Sequence, residues 1–416
     1  MKLVWLCNMT PGVVSRCRGT GGGGLWLDHV LDDLCTRQDI SVRLFCPGGT
    51  EAGQVDGKTS YVLFTEGAPQ NYRQQLEDLF YEQLQQFRPD VIHIWGTEYG
   101  HTLAMVNAAQ RLGWENRVAI SIQGLCSSCA RHYCEGIPEA VCHRYSLRDF
   151  LKRDNLLGQQ KQFVRRGALE RQALEKVGHV IGRTDFDRAV TGQINPHRRY
   201  HFCNETLREG FYQDVWRYSG CKKHRIFLSS ALFPFKGAHY LLEAMPLVLA
   251  EFPDAEIAVT GDSFFKSTLP EKLRQDYYHR YLAWLADKND LGDKIHFLGA
   301  LNEQQMKQAF LDCNVFVLPS TIENSPNSLG EAMLLGVPCV AADVGGVSNM
   351  LHPGQGYVYQ STAPYMLAHY IAEVFRQQER AEEMGAQARL QAMETHNPEK
   401  NMRDLLEIYR VIAEER

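Results

Sequence analysis

Two rounds of alternation between short apolar runs and longer helical stretches are the feature that most limits how this chain can fold. In the first half, predicted strands at 3–6, 41–45, 91–94, 118–122 and 179–181 are separated by predicted helices at 25–35, 72–87 and 102–112. In the second half, predicted strands at 225–229, 256–259, 295–298 and 315–318 alternate with predicted helices at 238–249 and 277–286. This alternation is typical of parallel sheets covered by helices on both faces. A chain of 416 residues is also too long for one ordinary core, so we predict two doubly wound α/β domains joined by a polar connector at 196–218.

The composition is that of a globular protein, with 44% hydrophobic and 22% charged residues. A formal charge of −5 argues against a general nucleic-acid binder. No apolar run approaches the roughly 18 to 20 residues that cross a bilayer, and the first strand is too short for a signal peptide. We therefore expect a cytoplasmic protein.

Twelve cysteines are scattered along the chain, and without a signal sequence they are expected to be reduced thiols. One group, Cys126, Cys129, Cys134, Cys142 and the neighbouring His143, has the ligand types that bind zinc. The second pair lacks the usual two-residue spacing. We therefore predict no metal, with a zinc site kept as the alternative.

The segment 144–176 carries a local basic bias, with nine Lys or Arg residues against four Asp or Glu. Such a run is commonly the solvated face of a helix. The functional alternative is a membrane-associated surface that binds anionic lipid headgroups or a lipid-pyrophosphate acceptor on the cytoplasmic face.

The segment 319–349 carries the strongest functional signal. A buried strand runs into a polar loop, and a short helix is predicted to begin at about Ser328. Ligands bind at such strand-loop-helix junctions, and the free N–H groups of the first helical turn attract phosphate. Glu323 and Glu331, eight positions apart, would flank the bound anion. In the alternative interpretation, Ser328 and Glu331 form a capping box and Glu323 is a solvated loop acid.

The string Glu-Asn-Ser-Pro-Asn-Ser-Leu-Gly-Glu-Ala-Met at 323–333 resembles the E-x7-E signature of retaining GT-B glycosyltransferases of family GT4, in the version of bacterial polysaccharide transferases. The resemblance implies two Rossmann-like domains that face a cleft. Residues 1–200 would bind the acceptor, with the helix at 397–416 crossing back to them, and residues 201–396 would bind the donor. It also implies transfer of a hexosyl group (EC 2.4), without cofactor or metal, from a UDP- or GDP-linked sugar to a hydroxyl of a glycan or lipid-linked acceptor in polysaccharide biosynthesis.

The same resemblance implies a donor site in the second half. Glu331 would bind the nucleotide ribose, and Glu323 would fix the sugar hydroxyls and share the positive character of the anomeric carbon. Where the family has an arginine this chain has Ala231, so another cation must substitute for it or the donor is held more loosely. The other implied donor contacts are the diphosphate-binding Ser325, Pro326, Asn327, Ser328, Leu329, Lys236 and Gly237, and the strand ends Asp262 and Leu298 near the base.

Four groups of residues in the first half complete the predicted site. The loop residues Gly21, Gly22 and Gly23 would let the donor phosphate approach the backbone. Their glycine pattern also resembles a dinucleotide-binding loop, but Cys46 ends the second strand where such a site needs a carboxylate. Gln123 stands where many family members have a catalytic histidine, so Glu98 and His101 are candidates for charge stabilisation or for a supporting structural role. The predicted interdomain or hinge residues are Arg183, Glu205 and Arg208.

Other protein classes remain as alternatives. A sugar-nucleotide epimerase shares the two-domain layout but does not need the E-x7-E loop. A phosphorylase would need a pyridoxal-phosphate lysine and a much longer chain. A non-catalytic subunit with the same fold is consistent with Ala231 and Gln123, which replace two residues that the family uses.

Overall fold

A computed structural model describes residues 1–20 and 26–415, and its chain divides into two compact units. Unit 1 comprises Met1–Ser128, Gln162–Arg208 and Thr395–Arg416, and unit 2 comprises Cys129–Lys161 and Glu209–Glu394. The predicted first domain ran without a break from 1 to 200. In the structure, residues 129–161 do not belong to this first domain but to unit 2.

The strands are β1 Lys2–Leu6, β2 Ser41–Pro47, β3 Ala52–Gln54, β4 Thr59–Phe64, β5 Val91–Trp95, β6 Val118–Ser121, β7 His179–Gly182, β8 Arg199–Phe202, β9 Arg225–Leu228, β10 Glu256–Val259, β11 Ile295–Phe297, β12 Val315–Leu318, β13 Cys339–Ala342 and β14 Tyr357–Tyr359. The helices are α1 Gly12–Arg18, α2 Trp26–Thr36, α3 Gln74–Phe87, α4 Gly100–Arg111, α5 Cys126–His132, α6 Glu139–Cys142, α7 Leu147–Lys152, α8 Leu156–Leu174, α9 Asp185–Ile194, α10 Gly210–Gln213, α11 Ala238–Glu251, α12 Leu269–Arg274, α13 Tyr277–Lys288, α14 Glu303–Leu311, α15 Asn327–Leu335, α16 Pro364–Arg376, α17 Gln378–Thr395 and α18 Pro398–Glu414. Short 3-10 turns occur at Glu115–Arg117, Pro234–Lys236 and Val347–Asn349.

The sheet of unit 1 has the order β3-β4-β2-β1-β5-β6-β7-β8. Its described neighbours pair in parallel except the edge strand β3, which is antiparallel to β4. Successive residues of β1 point to opposite faces, so that Val4 and Leu6 join one buried cluster and Leu3 and Trp5 join another. Apolar cores therefore cover both faces of this sheet, as the doubly wound prediction requires.

The last helix, α18, belongs to unit 1. Its Tyr409 is fully buried, and the Tyr409 hydroxyl accepts a hydrogen bond of 3.0 Å from the indole N–H of Trp5 in β1. The same hydroxyl lies 2.6 Å from Nδ1 of His93 in β5. These contacts attach the C-terminal helix to the two central strands of the first sheet.

Unit 2 contains a parallel sheet in the order β11-β10-β9-β12-β13-β14. From β9 the chain adds β10 and β11 on one side of the sheet, and it then returns to add β12, β13 and β14 on the other side. The neighbours β9 and β12 therefore form a topological switch point. The loops after these two strands diverge and leave room for a ligand. Two Rossmann-like domains of the predicted α/β, GT-B class are confirmed.

Candidate active site

The carboxyl ends of β9 and β12 bring together two parts of the predicted donor site that are far apart in the sequence. Nζ of Lys236, in the loop after β9, lies 2.6 Å from Oε1 of Glu323, in the loop after β12. The hydroxyl of Ser320 donates a second hydrogen bond of 2.7 Å to the same carboxylate oxygen. The Glu323 side chain is only 10% exposed, so its orientation is fixed by a charged and a neutral donor.

Two glycines allow the surrounding loops to approach these residues closely. Gly237 has φ +72°, and a Cβ at this position would lie 1.8 Å from the carbonyl oxygen of Pro319. Gly345 has φ +54°, and its Cβ would lie 1.8 Å from the carbonyl oxygen of Glu323. Only glycine fits both the left-handed backbone and the contact, so these two positions set the backbone path on either side of Glu323.

Residue Thr321 ties the Glu323 loop to two other segments of unit 2. Its N–H donates to the carbonyl of Phe235 at 2.8 Å, next to Lys236. Its hydroxyl donates to the carbonyl of His132 at 2.9 Å. His132 lies in the 129–161 segment, so this segment supports the backbone of the predicted donor site.

The helix α15 begins at Asn327 with Pro326 as its N-cap, and the Pro326 side chain makes no capping hydrogen bond. The capping-box alternative for Ser328 and Glu331 is therefore wrong. Glu331 is the fifth residue of the helix, and it is 5% exposed. A helix start without a side-chain cap leaves backbone N–H groups that can bind an anion.

The residues around this helix start differ in what they can offer to a ligand. Ser325, Asn327 and Ser328 are half-buried. The Leu329 side chain is fully buried, and its N–H donates to the Pro326 carbonyl at 3.0 Å. The Leu329 side chain therefore packs in the core and is not exposed to a ligand.

An open pocket of about 450 Å³ lies at the ends of β9, β10 and β11. It is lined by Ala231, by Asp262 and by Gly299, which follows the half-buried Leu298. Gly261 and Gly299 form an isolated bridge, in which the N–H of Gly261 donates to the carbonyl of Gly299 at 2.9 Å. The described cations in the lining are Lys266 and Arg274, and the His279 side chain also lines the pocket.

In unit 1, the predicted residue Glu98 lies in a polar network at the ends of β5 and β6. Its carboxylate accepts hydrogen bonds from the Gly124 N–H at 2.9 Å and from the Asn8 amide at 3.1 Å. Burial raises the pKa of Glu98 from its ordinary 4.5 to about 7, and the nearby Glu170 acts in the same direction. This carboxyl group therefore changes its protonation state near neutral pH.

The second predicted candidate, His101, is a buried neutral imidazole. Burial lowers the pKa of His101 from 6.5 to about 3. Its Nε2 lies 2.8 Å from the amide oxygen of Asn8, and its ring stacks on Tyr99 at a centroid distance of 5.1 Å. His101 orients Asn8, which in turn binds Glu98, so this geometry favours the supporting role.

The predicted Gln123 belongs to a network with two of the predicted interdomain residues. Its amide donates to one oxygen of Glu205, and the guanidinium of Arg183 forms an ion pair with the other. Arg183 also donates to the carbonyl of Ile122 at 2.9 Å, which holds the network at the end of β6. Burial raises the pKa of Glu205 while Arg183 opposes that shift. Arg208 is half-buried at the last position of this part of unit 1.

Gly21, Gly22 and Gly23 lie outside the described residues. Within the described ranges 1–20 and 26–415, no group of three or more His, Cys, Asp or Glu side chains is placed to hold a metal ion. The part of the chain that the structure describes contains no helix both long and apolar enough to cross a membrane.

Sequence reasoning missed several residues of these sites. Asn8 connects Glu98 and His101, but it lies in a segment that carried no motif. Ser320 lies three positions before Glu323 in the segment 319–349, so its contact with Glu323 could have been proposed. Lys266 and Arg274 lie in the segment between β10 and α13, for which no element was predicted, although Thr268 and Glu271 have the spacing of a capping box that could have indicated α12.

Comparison with known proteins identifies the class. Residues 219–391 match the model of the family described as glycosyl transferases group 1, and this range lies within unit 2. Over these residues the chain therefore carries a domain of the glycosyl transferases group 1 type.

Two curated relatives share part of the chain. A GDP-mannose-dependent monoacylated alpha-(1-6)-phosphatidylinositol monomannoside mannosyltransferase of Corynebacterium glutamicum is 30% identical over 171 residues, which cover 39% of this chain and 41% of that protein. The phosphatidylinositol N-acetylglucosaminyltransferase gpi3 subunit of Schizosaccharomyces pombe is 26% identical over 42% of this chain and 35% of its own length. The chain thus spans less than half the length of these relatives.

Solved structures resemble the whole chain. Sucrose-phosphate synthase from Thermosynechococcus elongatus has a TM-score of 0.70 at 15% identity and covers 100% of both chains. Anabaena HepE in complex with UDP and glucose has a TM-score of 0.66 at 17% identity and covers 99% of this chain and 100% of that one. At these identities the likeness establishes the shared fold.

Proposed function

We propose that this protein is a retaining glycosyltransferase that moves a sugar from a UDP- or GDP-linked donor to a hydroxyl of a glycan or lipid-linked acceptor in polysaccharide biosynthesis. The observation that carries the proposal is the Lys236–Glu323 ion pair near the start of α15, inside a group 1 glycosyltransferase domain. A UDP-bound neighbour and a GDP-mannose-dependent relative support either nucleotide.

In the proposed reaction, the bond between the anomeric carbon and the donor diphosphate breaks, and its electrons leave with the nucleoside diphosphate. The acceptor hydroxyl oxygen bonds to the anomeric carbon, and its proton passes to the departing diphosphate. The N–H groups at the start of α15 and the Lys236 ammonium would stabilise the charge that develops on the leaving group. Glu323 would face the positive character of the anomeric carbon, and Glu331 would bind the ribose.

The pocket beside Ala231 offers a replacement for the missing family arginine. Lys266 and Arg274 line this pocket together with Asp262, and we expect one or both of these cations to contact a phosphate bound there. We include them in the proposed donor site as the groups that neutralise the diphosphate with Lys236. A resident metal is not part of the proposal, because these cations and the helix start supply the positive charge.

The experiment incubates the purified protein with radiolabelled UDP- and GDP-sugars and with pooled lipid and glycan extracts. Transfer of label into an acceptor, with release of the nucleoside diphosphate, is expected for one donor. Conversion of the donor sugar without nucleotide release would instead identify an epimerase. Nucleotide binding without transfer or hydrolysis for any donor would identify a non-catalytic subunit.

A further inference from the structure

Two short helices of unit 2 expose apolar side chains that a folded domain ordinarily buries. Phe150 and Leu151 in α7 are 69% and 72% exposed, and Leu269 in α12 is 69% exposed. Exposed apolar clusters of this kind mark interaction surfaces. The α7–α12 face is defined by the exposed side chains Tyr145, Leu147, Phe150, Leu151, Leu269 and Leu273.

The spacing of these residues places them on one side of each helix. Leu147 and Leu151 are four positions apart in α7, and Leu269 and Leu273 are four positions apart in α12. Residues at this spacing are neighbours on a helix surface. The two helices pack against each other within unit 2, so their exposed side chains lie in one region of its surface.

Both helices are held in place by contacts that do not use this face. Ser146 and Asp149 form a capping box at the start of α7, and Thr268 and Glu271 form another at the start of α12. The Asp149 carboxylate also accepts a hydrogen bond of 2.8 Å from the Tyr277 N–H at the start of α13. The caps stabilise both helices while their apolar side chains remain in solvent.

The charge around the face is strongly positive. Residues 144–153 and 266–274 together contain seven basic side chains and two acidic ones, in a chain whose formal charge is −5. Both acids act as helix caps, and Asp149 is fully buried. Arg148 forms ion pairs with Asp149 and Asp154, so the basic residues left to the rim are Arg144, Lys152, Arg153, Lys266, Lys272 and Arg274.

An apolar centre with a rim of cations complements the boundary of an anionic bilayer, where apolar side chains enter the acyl region and cations meet the headgroups. We infer that the α7–α12 face docks this protein on an anionic membrane surface. The inference narrows the membrane contact predicted at 144–176 to 144–153 and adds α12, which the sequence did not single out.

Part of the remaining basic segment contacts unit 1 through α8. In α8, the buried Glu170 accepts hydrogen bonds from the Cys126 N–H at 2.8 Å and from the Ser127 hydroxyl at 2.6 Å. Arg166 donates to the carbonyl of Glu98 at 2.7 Å. These contacts attach the part of α8 from Gln162 onward to unit 1, whereas Lys161, Arg165 and Arg171 on the same helix are exposed.

The face and the pocket beside Asp262 share Lys266 and Arg274, because α12 follows the loop that lines the pocket. Docking would therefore hold the rim of this pocket near the lipid surface, where a lipid-linked acceptor lies. This consequence depends on the proposed function, whereas the docking itself does not.

The test is sedimentation of the full chain with phosphatidylcholine vesicles that contain or lack phosphatidylglycerol. We expect binding only to the anionic vesicles, weakened by added salt. Leu269→Ser with Leu273→Ser, and Phe150→Ser with Leu151→Ser, should each lower the partition coefficient at least about tenfold. Lys152→Glu with Lys272→Glu should act in the same direction. The matched control is Leu390→Ser, because Leu390 is 66% exposed in another helix of unit 2 and should bind as the wild type does.

Hydrogen–deuterium exchange on the wild type gives a readout that does not depend on the folding of a variant. Vesicles should slow amide exchange in 145–152 and 268–274. Failure of the wild type to bind anionic vesicles would overturn the inference, as would an equal loss with Leu390→Ser. Self-association in ultracentrifugation that the leucine variants abolish, without vesicle binding, would identify a second copy as the occupant. A protein that binds vesicles but transfers no sugar would refute the proposed function alone.

Discussion

Lys236 and Glu323 lie 87 positions apart in the chain, and their side chains form an ion pair of 2.6 Å at the ends of two central strands. The sequence assigned them separate tasks, one at the diphosphate and one at the sugar. Because the two side chains are in contact, a donor that binds here would meet a Lys236–Glu323 ion pair and not two independent groups. Truncation of either side chain would therefore remove a hydrogen-bond partner of the other.

Replacing Lys236 tests the cationic member of this ion pair. Lys236→Gln removes a charge-assisted partner of the diphosphate, so we expect affinity for UDP or GDP to fall about tenfold or more. Isothermal titration calorimetry measures the change. Lys288→Gln alters an exposed lysine of the same unit and should leave the affinity unchanged. Equal affinities for the wild type and Lys236→Gln would remove Lys236 from the donor site.

Gly237 tests whether the close approach of the two loops is required. Gly237→Ala introduces both a left-handed alanine and a contact with the Pro319 carbonyl, and we expect it to lower the free energy of unfolding by about 2 kcal/mol or more. Gly354→Ala is the matched control, because Gly354 has φ +85° with nothing within 4 Å of a Cβ. Urea unfolding should give a clearly smaller loss for the control. Equal losses would mean that backbone strain alone explains the effect.

We expect the loss of the buried Arg183–Glu205 ion pair in unit 1 to lower the free energy of unfolding strongly. Arg183→Ala would leave this carboxylate buried beside Gln123 without its cation, so we expect a loss of about 3 kcal/mol in the free energy of unfolding. Arg410→Ala breaks a surface pair whose side chains are 67% and 64% exposed, and should cost less than about 1 kcal/mol. Both values come from urea denaturation, and similar losses for the two variants would refute a structural role of the network.

The raised pKa of Glu98 predicts that the stability of the fold depends on pH. Its pKa of about 7 in the folded protein exceeds its ordinary 4.5, so the folded state binds a proton that the unfolded state has already lost. Stability from this group is present below about pH 4.5 and is lost as pH rises through about 7. Glu98→Gln should therefore reduce the fall in unfolding free energy between pH 5 and 8 by on the order of 1 kcal/mol. The exposed Glu82→Gln should retain the wild-type slope, and an unchanged slope in Glu98→Gln would contradict the assignment.

The fold could be predicted from sequence because the strands of a parallel sheet are nearly continuous apolar runs. The strand at 315–318 and the helix that begins at Asn327 fall within one residue of their predicted positions. The strand β4 at Thr59–Phe64 was missed, although every residue in it is buried. It follows the antiparallel strand β3, so no helix separates it from β2, and the strand-helix alternation does not mark it.

The long-range parts of the site could not be predicted in the same way. Residues 129–161 form short helices whose partners lie far away in sequence, as in the contact of His132 with Thr321. The role of His101 depends on its burial and on Asn8, and neither follows from a local pattern. The string at 323–333 did identify the residues of the donor helix, but the ion pair with Lys236 required the strand order of the sheet.

The most direct test of the account is turnover of the preferred donor by Glu323→Gln. The substitution keeps the size of the side chain and its contact with Ser320, but it removes the negative charge that would face the anomeric carbon. We expect the rate of sugar transfer to fall roughly 10²-fold or more while affinity for the nucleoside diphosphate changes little. Glu303→Gln, in α14 of the same unit, serves as the control and should transfer sugar at the wild-type rate. Wild-type turnover by Glu323→Gln would contradict the proposed catalytic role of Glu323.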